Sequence, residues 1–435
     1  MNSTFYIKTM GCQMNEYDSD LLARSLIYEG YLPVDDLSTA DIILVNTCAV
    51  RAKPEQKAAS FLGRMDAIKK KKPGLILGVV GCMAQQEGAG FMKRFPQIDL
   101  VMGPRELDRI PDVIRKIHSD REKIIATDLD LSPPRTTRCR GYFRGRVTGY
   151  ISIMEGCNNF CSYCVVPFVR GREVSLAPDD IIAEAGDLIA DGIKDITLLG
   201  QNVISYHWKD RNFVSLLRDV SALEGLSRLR FTTSHPKALS DKIIQCFGDI
   251  SNLCPHIHLP FQAGSNAILE RMKRGYTREQ YLDLVFRLRQ VEPDISITSD
   301  VMVGFPGESE QDFEMTLDLI KSVQFDNLFS FKYSGRKGTL AAKMDNMVQE
   351  SEKSRRLEVL QALQKQITLK KNVQLKGRQL EVLFEGKGKR EGQLTGRTGT
   401  NKVVNVLCDN NKIGDLAKVT IKDGFMNSLR ADIIF

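Results

Sequence analysis

The sequence predicts a multidomain α/β protein with a doubly wound N-terminal domain, a central partial (βα)6 barrel and a small antiparallel β-barrel at the C-terminus. At 435 residues, the chain exceeds the size at which a single hydrophobic core usually stops growing. Apolar runs of strand length alternate with helical patterns over most of the chain, which is typical of parallel sheets covered by helices. From residue 373 onward, short alternating strands are separated by glycine and asparagine turns instead.

The N-terminal block contains strand-like runs that each precede an amphipathic helical pattern. The predicted strands cover 4–10, 41–46, 75–80 and 99–102, and the predicted helices cover 16–29, 53–70, 84–94 and 104–117. Pro104 suits the start of the last helix because its missing N–H has no intrahelical partner there. This alternation predicts a doubly wound sheet.

A basic stretch without periodicity separates the two α/β blocks. It covers residues 126–148, contains Ser132-Pro133-Pro134 and has no acidic residue after Asp130. Its arginines are Arg135, Arg138, Arg140, Arg144 and Arg146. We expect a linker here.

The second block repeats the strand and helix alternation. Its predicted strands cover 149–154, 195–199, 228–233, 256–260, 295–303 and 327–333. Six βα units are too few for a closed eight-stranded barrel, so a partial barrel is expected, with its active-site loops at the C-terminal ends of the strands. A long polar helix is predicted over 346–371.

The composition is that of an ordinary folded protein, with 42% hydrophobic and 26% charged residues. The N-terminus lacks a basic segment followed by an apolar run, and the chain has no run of about 18 apolar residues, so we expect a cytoplasmic protein. In a reducing compartment, the ten cysteines are expected to be metal ligands, catalysts or core residues rather than disulfides. A net charge of +7 permits a polyanionic partner without identifying one.

Three cysteines follow the first strand of the second block. Cys157, Cys161 and Cys164 have the spacing C-x3-C-x2-C on one short loop. Three thiolates can hold three irons of a cubane iron–sulfur cluster and leave the fourth iron open. The alternatives are a zinc site, which would need a fourth ligand that is not nearby, and buried cysteines without a chemical role.

This triplet, with Tyr163 before its last cysteine, resembles the signature of radical S-adenosylmethionine enzymes. The resemblance implies that the open iron chelates the amino and carboxylate groups of S-adenosylmethionine. An electron from the cluster then cleaves the sulfonium, and the resulting 5′-deoxyadenosyl radical abstracts hydrogen from an unreactive carbon.

A second cysteine set is distributed over the N-terminal block. Cys12, Cys48 and Cys82 each closely follow a predicted strand. Because the C-terminal ends of parallel strands share one edge of the sheet, these thiols are expected to meet in one crevice. They form either a second cluster site or three ordinary buried cysteines, and the repeated position favours the cluster.

The segments around these cysteines resemble the methylthiotransferases over the whole chain. Gly11-Cys12, Asn46-Thr47-Cys48, Gly81-Cys82, the signature triplet and the terminal barrel carry this resemblance. The segments 11–15 (GCQMN), 198–203 (LLGQNV), 232–236 (TTSHP) and 274–279 (RGYTRE) resemble the MiaB-type branch, which acts on isopentenylated adenosine next to the tRNA anticodon.

The resemblance implies methylthiolation at C2 of that adenine with two 4Fe-4S clusters and two molecules of S-adenosylmethionine per turnover. One molecule methylates a sulfur at the N-terminal cluster, and the other generates the radical. The implied domains are a methylthiotransferase cluster domain (1–125), the basic linker (126–148), a radical SAM domain with a trailing helix (149–372) and a TRAM-like RNA-binding barrel (373–435). The implied partners are a tRNA anticodon stem-loop, a flavodoxin- or ferredoxin-like electron donor and a sulfur donor. We expect a monomer that does not contact a membrane.

Tyr163 of the signature is a candidate for contact with the cofactor, and the other candidates follow predicted strands. Gly200 and Gln201 follow the second central strand, Ser234 follows the third, and Gly304 and Glu308 lie in a strand-to-helix turn. His256 and His258 alternate on a strand, which favours a polar barrel interior over a metal pair.

Basic residues in the tail are candidates for binding an RNA backbone, although solvated surfaces have similar composition. They are Lys387, Lys389, Arg390, Arg397 and Lys402. The rival functions are methylthiotransferases that act on threonylcarbamoyl-adenosine of tRNA or on a ribosomal protein aspartate, a zinc-containing RNA-binding protein, and a redox carrier.

Overall fold

The computed structural model describes residues 3–49, 52–130, 132–134, 136–408 and 412–434, without the side chains of 52–55. Arg135 of the predicted linker lies outside the described residues. Within the described part of the chain, no helix combines the length and the apolarity needed to cross a bilayer.

A parallel sheet forms the N-terminal domain, with strand order β2-β1-β3-β4-β5-β6. The strands are β1 (Thr4–Met10), β2 (Leu32–Pro33), β3 (Ile42–Thr47), β4 (Ile76–Gly81), β5 (Leu100–Met102) and β6 (Ile124–Ala126). The helices are α1 (Gln13–Tyr28), α2 (Ala52–Lys71), α3 (Cys82–Glu87), α4 (Ala89–Arg94) and α5 (Ile110–Asp120).

Helices cover both faces of this sheet, as the sequence predicts. Ile42 and Leu44 of β3 pack in one hydrophobic cluster with side chains of α1 and α5. Ile43 and Val45 pack on the opposite face with side chains of α2, α3 and α4. Because successive side chains of a strand point to opposite faces, a continuous apolar run is buried on both sides.

The structure differs from the sequence prediction at the ends of this sheet and in one helix. The predicted helix over 84–94 is split at Gly88, which has a φ of +48°. The edge strands β2 and β6 were not predicted because two or three residues are too short for a recognisable alternation. Strand β6 extends the N-terminal sheet to Ala126.

The central domain is a partial barrel made of two parallel sheets, β13-β10-β7 and β14-β15-β16. A parallel bridge between Leu229 and Leu253 links these sheets. The strands are β7 (Thr148–Ser152), β8 (Met154–Glu155), β9 (Val174–Ser175), β10 (Asp195–Leu199), β11 (His207–Trp208), β12 (Arg211–Asn212), β13 (Arg228–Phe231), β14 (His256–His258), β15 (Ser296–Val303) and β16 (Asn327–Lys332). The helices are α6 (Val166–Val169), α7 (Pro178–Ala190), α8 (Phe213–Ser221), α9 (Asp241–Asp249), α10 (Asn266–Arg271), α11 (Arg278–Val291) and α12 (Glu310–Val323). The predicted partial barrel is confirmed.

A long helix, α13 (Glu350–Val373), leads to the C-terminal barrel. It is polar in sequence, yet its Leu360 and Ile367 are buried in the core of the central domain. The barrel is closed in the order β17-β18-β19-β21-β20. Its strands are β17 (Gln379–Lys387), β18 (Gln393–Thr398), β19 (Val403–Leu407), β20 (Leu416–Gly424) and β21 (Leu429–Ile433). The predicted small antiparallel barrel is confirmed, and one of its strand pairs, β19 with β21, is parallel.

The C-terminal barrel is fixed to the N-terminal ends of the central strands by buried arginines. Arg230 of β13 donates to the carbonyl oxygens of Gly399 and Thr398, both at 3.0 Å. Arg228 donates to the carbonyl oxygens of Arg397 and Glu381. The N-terminal domain lies at the opposite, C-terminal ends of these strands.

Candidate active site

A cavity of about 890 Å³ begins between the N-terminal domain and the C-terminal ends of the central strands and extends through the central barrel to the C-terminal barrel. Both predicted cysteine sets line it: Cys12, Cys48, Cys82, Cys157, Cys161 and Cys164. None of the ten cysteines takes part in a disulfide bond. The structure therefore brings together thiols that are up to 152 positions apart in sequence, from Cys12 to Cys164.

The N-terminal thiols meet because the strands that carry them end in register. Met10 of β1 pairs with Thr47 of β3, and Thr47 pairs with Gly81 of β4. Cys12, Cys48 and Cys82 follow directly and share one edge of the sheet. Cys12 precedes α1 and Cys82 begins α3, so helix N-termini add partial positive charge at these sulfurs.

Two buried asparagines hold the turns of Cys12 and Cys48 together. The Asn15 side chain donates to Asn46 Oδ1 at 2.9 Å and accepts from the backbone N–H of Cys12 at 3.2 Å. Asn46 in turn donates to the carbonyl oxygen of Asn15 at 2.9 Å. Gly81 has a φ of +92°, and a Cβ there would lie 2.5 Å from Asn46 Oδ1, so only glycine fits beside this network.

The N-terminal thiols have opposite acidities. A hydrogen bond with the Cys48 thiol lowers the pKa of Cys12 to about 6, helped by the charge of Arg170 and opposed by burial. Burial raises the pKa of Cys82 to about 11. Of Cys12 and Cys82, Cys12 is thus the thiol more readily available as a thiolate ligand.

A buried charge network joins the N-terminal thiols to the central domain. Arg170 donates to Cys82 Sγ at 3.2 Å and forms ion pairs with Asp18 and Glu155, the latter at 2.9 Å. Arg105 of the N-terminal domain also pairs with Glu155, at 3.4 Å. These four charged side chains are 2–4% exposed, so each charge depends on its partners.

The thiols of the central domain lie on the loop that follows β8. Gly156 begins this loop with a φ of +80°, and a Cβ there would lie 2.0 Å from a backbone carbonyl oxygen of Arg172. Asn159 donates to Cys157 Sγ at 3.4 Å. Arg274 donates to Cys161 Sγ at 3.4 Å. Burial raises the pKa of Cys164 to about 12, so this thiol is protonated at neutral pH unless a bound metal displaces the proton.

The donor set fits iron–sulfur clusters better than single metal ions. Among the described residues, no group of three His, Cys, Asp or Glu side chains is arranged to hold one ion. In a cluster, each cysteine binds a different iron, so the sulfurs do not converge on a single point. Two sets of three thiols in one cavity, each beside a buried arginine, meet that requirement.

Four of the residues predicted to contact the cofactor line the cavity: Tyr163, Gly200, Gln201 and Ser234. Gln201 accepts from the backbone N–H of Gly156 at the start of the cysteine loop. The Ser234 hydroxyl and Nε2 of His235 are buried and have no hydrogen-bond partner in the described part of the protein. Burial lowers the pKa of His235 to about 3, so its imidazole is neutral. These open donors and acceptors suit a polar ligand.

Gly304 and Glu308, which were also predicted to contact the cofactor, are not part of the cavity lining. Glu308 accepts from the backbone N–H of Gly304 and pairs with Arg356 of α13 at 2.8 Å. Glu308 thus stabilises the turn that contains it and binds α13 to that turn. The turn pattern could not show which way the carboxylate faces.

The basic residues predicted to bind RNA occupy two different environments. Lys387, Lys389 and Arg390 are exposed. Arg397 is partly exposed and lies 3.4 Å from Glu385. Lys402 differs from the expectation, because it pairs with buried Asp326 at 2.9 Å and its side chain is only 15% exposed. Its charge is therefore used within the fold.

His256 and His258 line the other end of the cavity. One ring nitrogen of each lies 3.1 Å from the Thr298 hydroxyl. The polar barrel interior that the alternation favours accounts for these contacts.

Sequence reasoning missed the residues that support the cysteines, namely Asn15, Asn46, Asp18, Glu155, Arg170 and Arg274. The segments that contain Asn15, Asn46 and Arg274 were recognised as family-like, but nothing in their local pattern indicates which side chain meets a sulfur. Arg170 and Asp18 meet only through the contact between two domains.

Models of three protein families match successive parts of the chain. They are the uncharacterized protein family UPF0004 at residues 4–103, the Radical SAM superfamily at 151–320 and the TRAM domain at 373–434. A solved structure has a similar fold over most of the chain. A radical S-adenosylmethionine methyltransferase, TsrM, from Kitasatospora setae is similar with a TM-score of 0.59 at 16% identity, over 79% of this chain and 77% of that one.

Curated relatives match the chain over nearly its full length. A tRNA-2-methylthio-N(6)-dimethylallyladenosine synthase from Syntrophus aciditrophicus (strain SB) is 50% identical over 99% of this chain and 94% of the relative. A protein of the same name from Geobacter sulfurreducens is 46% identical over 100% of this chain and 98% of the relative. The resemblance to MiaB-type methylthiotransferases is confirmed, and this chain belongs to the tRNA-2-methylthio-N(6)-dimethylallyladenosine synthase family.

Proposed function

We propose that this protein methylthiolates C2 of isopentenylated adenosine next to the anticodon of tRNA by a radical S-adenosylmethionine mechanism. The observation that carries the proposal is the convergence of both cysteine sets on one cavity. The names of the relatives give the same reaction for proteins with 50% and 46% identity. A site that generates a radical and a site that holds sulfur need to face the same substrate atom.

We further propose that each cysteine set holds one 4Fe-4S cluster. Cys157, Cys161 and Cys164 would hold the radical cluster, and the remaining set is Cys12, Cys48 and Cys82. When bound, the clusters and two molecules of S-adenosylmethionine supply an adenosyl radical and a methylated sulfur. The chain contributes the thiolates, the arginines that donate to their sulfurs and a cavity with walls from three domains.

The cofactor would bind along Tyr163, Gly200, Gln201 and Ser234 at the C-terminal ends of the central strands. Ser234 and neutral His235 offer one unsatisfied polar atom each, which would orient the cofactor through hydrogen bonds. Arg274 donates to the Tyr163 hydroxyl at 3.4 Å as well as to Cys161 Sγ, so Tyr163 lies beside the cysteine loop. Gly304 and Glu308 are not included in this binding site, because they bond to each other, and Glu308 to Arg356, away from the cavity.

The anticodon stem-loop would be held by the C-terminal barrel through phosphate contacts from Lys387, Lys389, Arg390 and partly exposed Arg397. Lys402 is left out because of its pair with Asp326. An electron donor and a sulfur donor are the further partners of such a reaction. We propose that the protein works as a cytoplasmic monomer.

The family matches also support limits for the domains. We propose a cluster domain over 1–125, a linker over 126–148, a radical domain with its trailing helix over 149–372 and a barrel over 373–435. The family matches at 4–103, 151–320 and 373–434 lie inside these limits.

The proposal is tested by anaerobic purification with iron and sulfide analysis, followed by mass spectrometry of isopentenylated tRNA incubated with S-adenosylmethionine and dithionite. About eight irons per chain and a methylthiolated nucleoside are expected. The same iron content without that nucleoside would point to another substrate. Zinc in place of iron would overturn the mechanism.

Cysteine variants separate the two clusters. Cys157→Ala is expected to abolish S-adenosylmethionine cleavage, whereas Cys12→Ala should retain cleavage and lose methylthiolation. Cys246→Ala is the matched control, because Cys246 is fully buried away from the cavity. Full methylthiolation by Cys12→Ala would refute the role of the N-terminal set.

A further inference from the structure

Each cysteine set is touched by one buried arginine. Arg170 Nε lies 3.2 Å from Cys82 Sγ, and Arg274 Nη1 lies 3.4 Å from Cys161 Sγ. The two arginines are 3% and 5% exposed. Hydrogen bonds to cysteine sulfur and nearby charge tune the reduction potential of an iron–sulfur cluster. The charges around each guanidinium group therefore influence which of the two clusters is reduced more easily.

The charge of Arg170 is neutralised within the protein. Asp18 and Glu155 both pair with it, and Arg105 pairs with Glu155. The network thus contains two positive and two negative groups in a space from which water is excluded. The two carboxylates offset the charge of Arg170, so its field at the N-terminal cysteines is weaker than that of an unpaired cation.

The charge of Arg274 has neutral partners instead. It donates to the carbonyl oxygen of Pro260 at 2.9 Å, to the Tyr276 hydroxyl at 3.1 Å and to the Tyr163 hydroxyl at 3.4 Å. Across the described ranges, no Asp or Glu forms an ion pair with Arg274. A buried cation without a carboxylate is unfavourable unless an anion completes its surroundings.

We propose that Arg274 is a positioning residue that gives the radical-cluster site a positive charge which the protein does not neutralise. The inference rests on the proposed function, since it requires a cluster on the Cys161 loop. Reduction adds negative charge to a cluster, and an uncompensated cation beside a ligand sulfur stabilises the reduced form. The radical cluster is therefore the more easily reduced of the two clusters. The charge of Arg170 beside the other cluster is offset by Asp18 and Glu155, so it stabilises the reduced form less.

The test measures each cluster by itself in the full-length protein. Replacing Cys12, Cys48 and Cys82 with alanine leaves only the radical site. Iron content and the midpoint potential from an EPR-monitored titration are then compared between this protein and its Arg274→Met and Arg274→Lys variants. The matched control is Arg278→Met, because Arg278 is also mostly buried but pairs with Asp318 and does not line the cavity.

Arg274→Met is expected to shift the midpoint potential to more negative values, while Arg274→Lys and Arg278→Met remain near the unsubstituted potential. The corresponding potential at the N-terminal site, measured with Cys157, Cys161 and Cys164 replaced, should not respond to Arg274→Met. An unchanged potential with full iron content in Arg274→Met would overturn the inference. If Arg274→Met loses its iron, recovery of the iron in Arg274→Lys supports the role of charge, and failure to recover it refutes that role. Absence of iron before any change at Arg274 would instead refute the proposed function.

Discussion

Replacement of Arg356 by methionine is expected to destabilise the central domain without affecting cofactor binding. Arg356 and Glu308 form an ion pair of 2.8 Å in which the side chains are 5% and 1% exposed. Removing one partner of such a pair leaves an uncompensated buried charge, which costs about 3–5 kcal/mol. Glu308→Gln is expected to cost less, about 1.5–3 kcal/mol, because Arg356 keeps Glu352 at 2.7 Å and only a charged hydrogen bond is weakened.

The cost of Arg356→Met depends on pH. Burial raises the pKa of Glu308 above its ordinary value of 4.5, although the Gly304 N–H and Arg356 oppose this rise. Loss of Arg356 therefore raises the pKa further. Because the folded variant then binds a proton more tightly than the unfolded chain, its stability falls as the pH rises above 4.5. The deficit relative to the unsubstituted protein should be larger at pH 8 than at pH 5.

Denaturant unfolding followed by fluorescence measures this effect, because Trp208 is the single tryptophan of the sequence and packs against the core of the central domain. The Michaelis constant for S-adenosylmethionine in the cleavage reaction is measured in parallel. A deficit that does not change with pH would refute the buried-charge reasoning. A raised Michaelis constant with unchanged stability in Glu308→Gln would restore the original prediction that Glu308 binds the cofactor.

Two further predictions concern the cysteine loop and the RNA surface. Gly156→Ala should lose the iron of the radical site, since its Cβ would lie 2.0 Å from a carbonyl oxygen, whereas Gly186→Ala, with open space around it, should retain full iron content on metal analysis. Alanine at Lys387, Lys389 and Arg390 together should weaken tRNA binding and reduce the slope of log affinity against log salt by about 0.9 per lost phosphate contact in a duplex stem. An unchanged slope would exclude these residues from the phosphate contacts.

The positions of the strands and the grouping of the cysteines could be predicted from sequence, because both depend on short segments of the chain. Strand β1 covers the predicted residues 4–10, since a run of alternating and apolar residues is bounded by clear turns. The C-x3-C-x2-C spacing puts three thiols within eight residues, so they share one loop wherever a loop follows the strand. The position after successive parallel strands likewise brings Cys12, Cys48 and Cys82 to one edge.

The supporting charges could not be predicted because they depend on tertiary contacts. A sequence with 61 lysines and arginines gives no sign that Arg170 and Arg274 point to sulfur. The same limit explains two differences between prediction and structure. Glu308 faces α13 and Lys402 faces Asp326, although the turn and the basic tail suggested a cofactor and RNA.

The Arg170 network also determines how the two cysteine sets face each other. Its members come from both domains, with Asp18 and Arg105 on one side and Glu155 and Arg170 on the other. A small sliding of the domains would leave one of these buried charges without its partner, at a cost of several kcal/mol. Interfaces between domains usually permit motion unless they are large and apolar, so paired charges supply the constraint here. A reaction that uses both cysteine sets on one substrate atom needs such a fixed separation, because an error of about 1 Å in position can cost a hundredfold in rate.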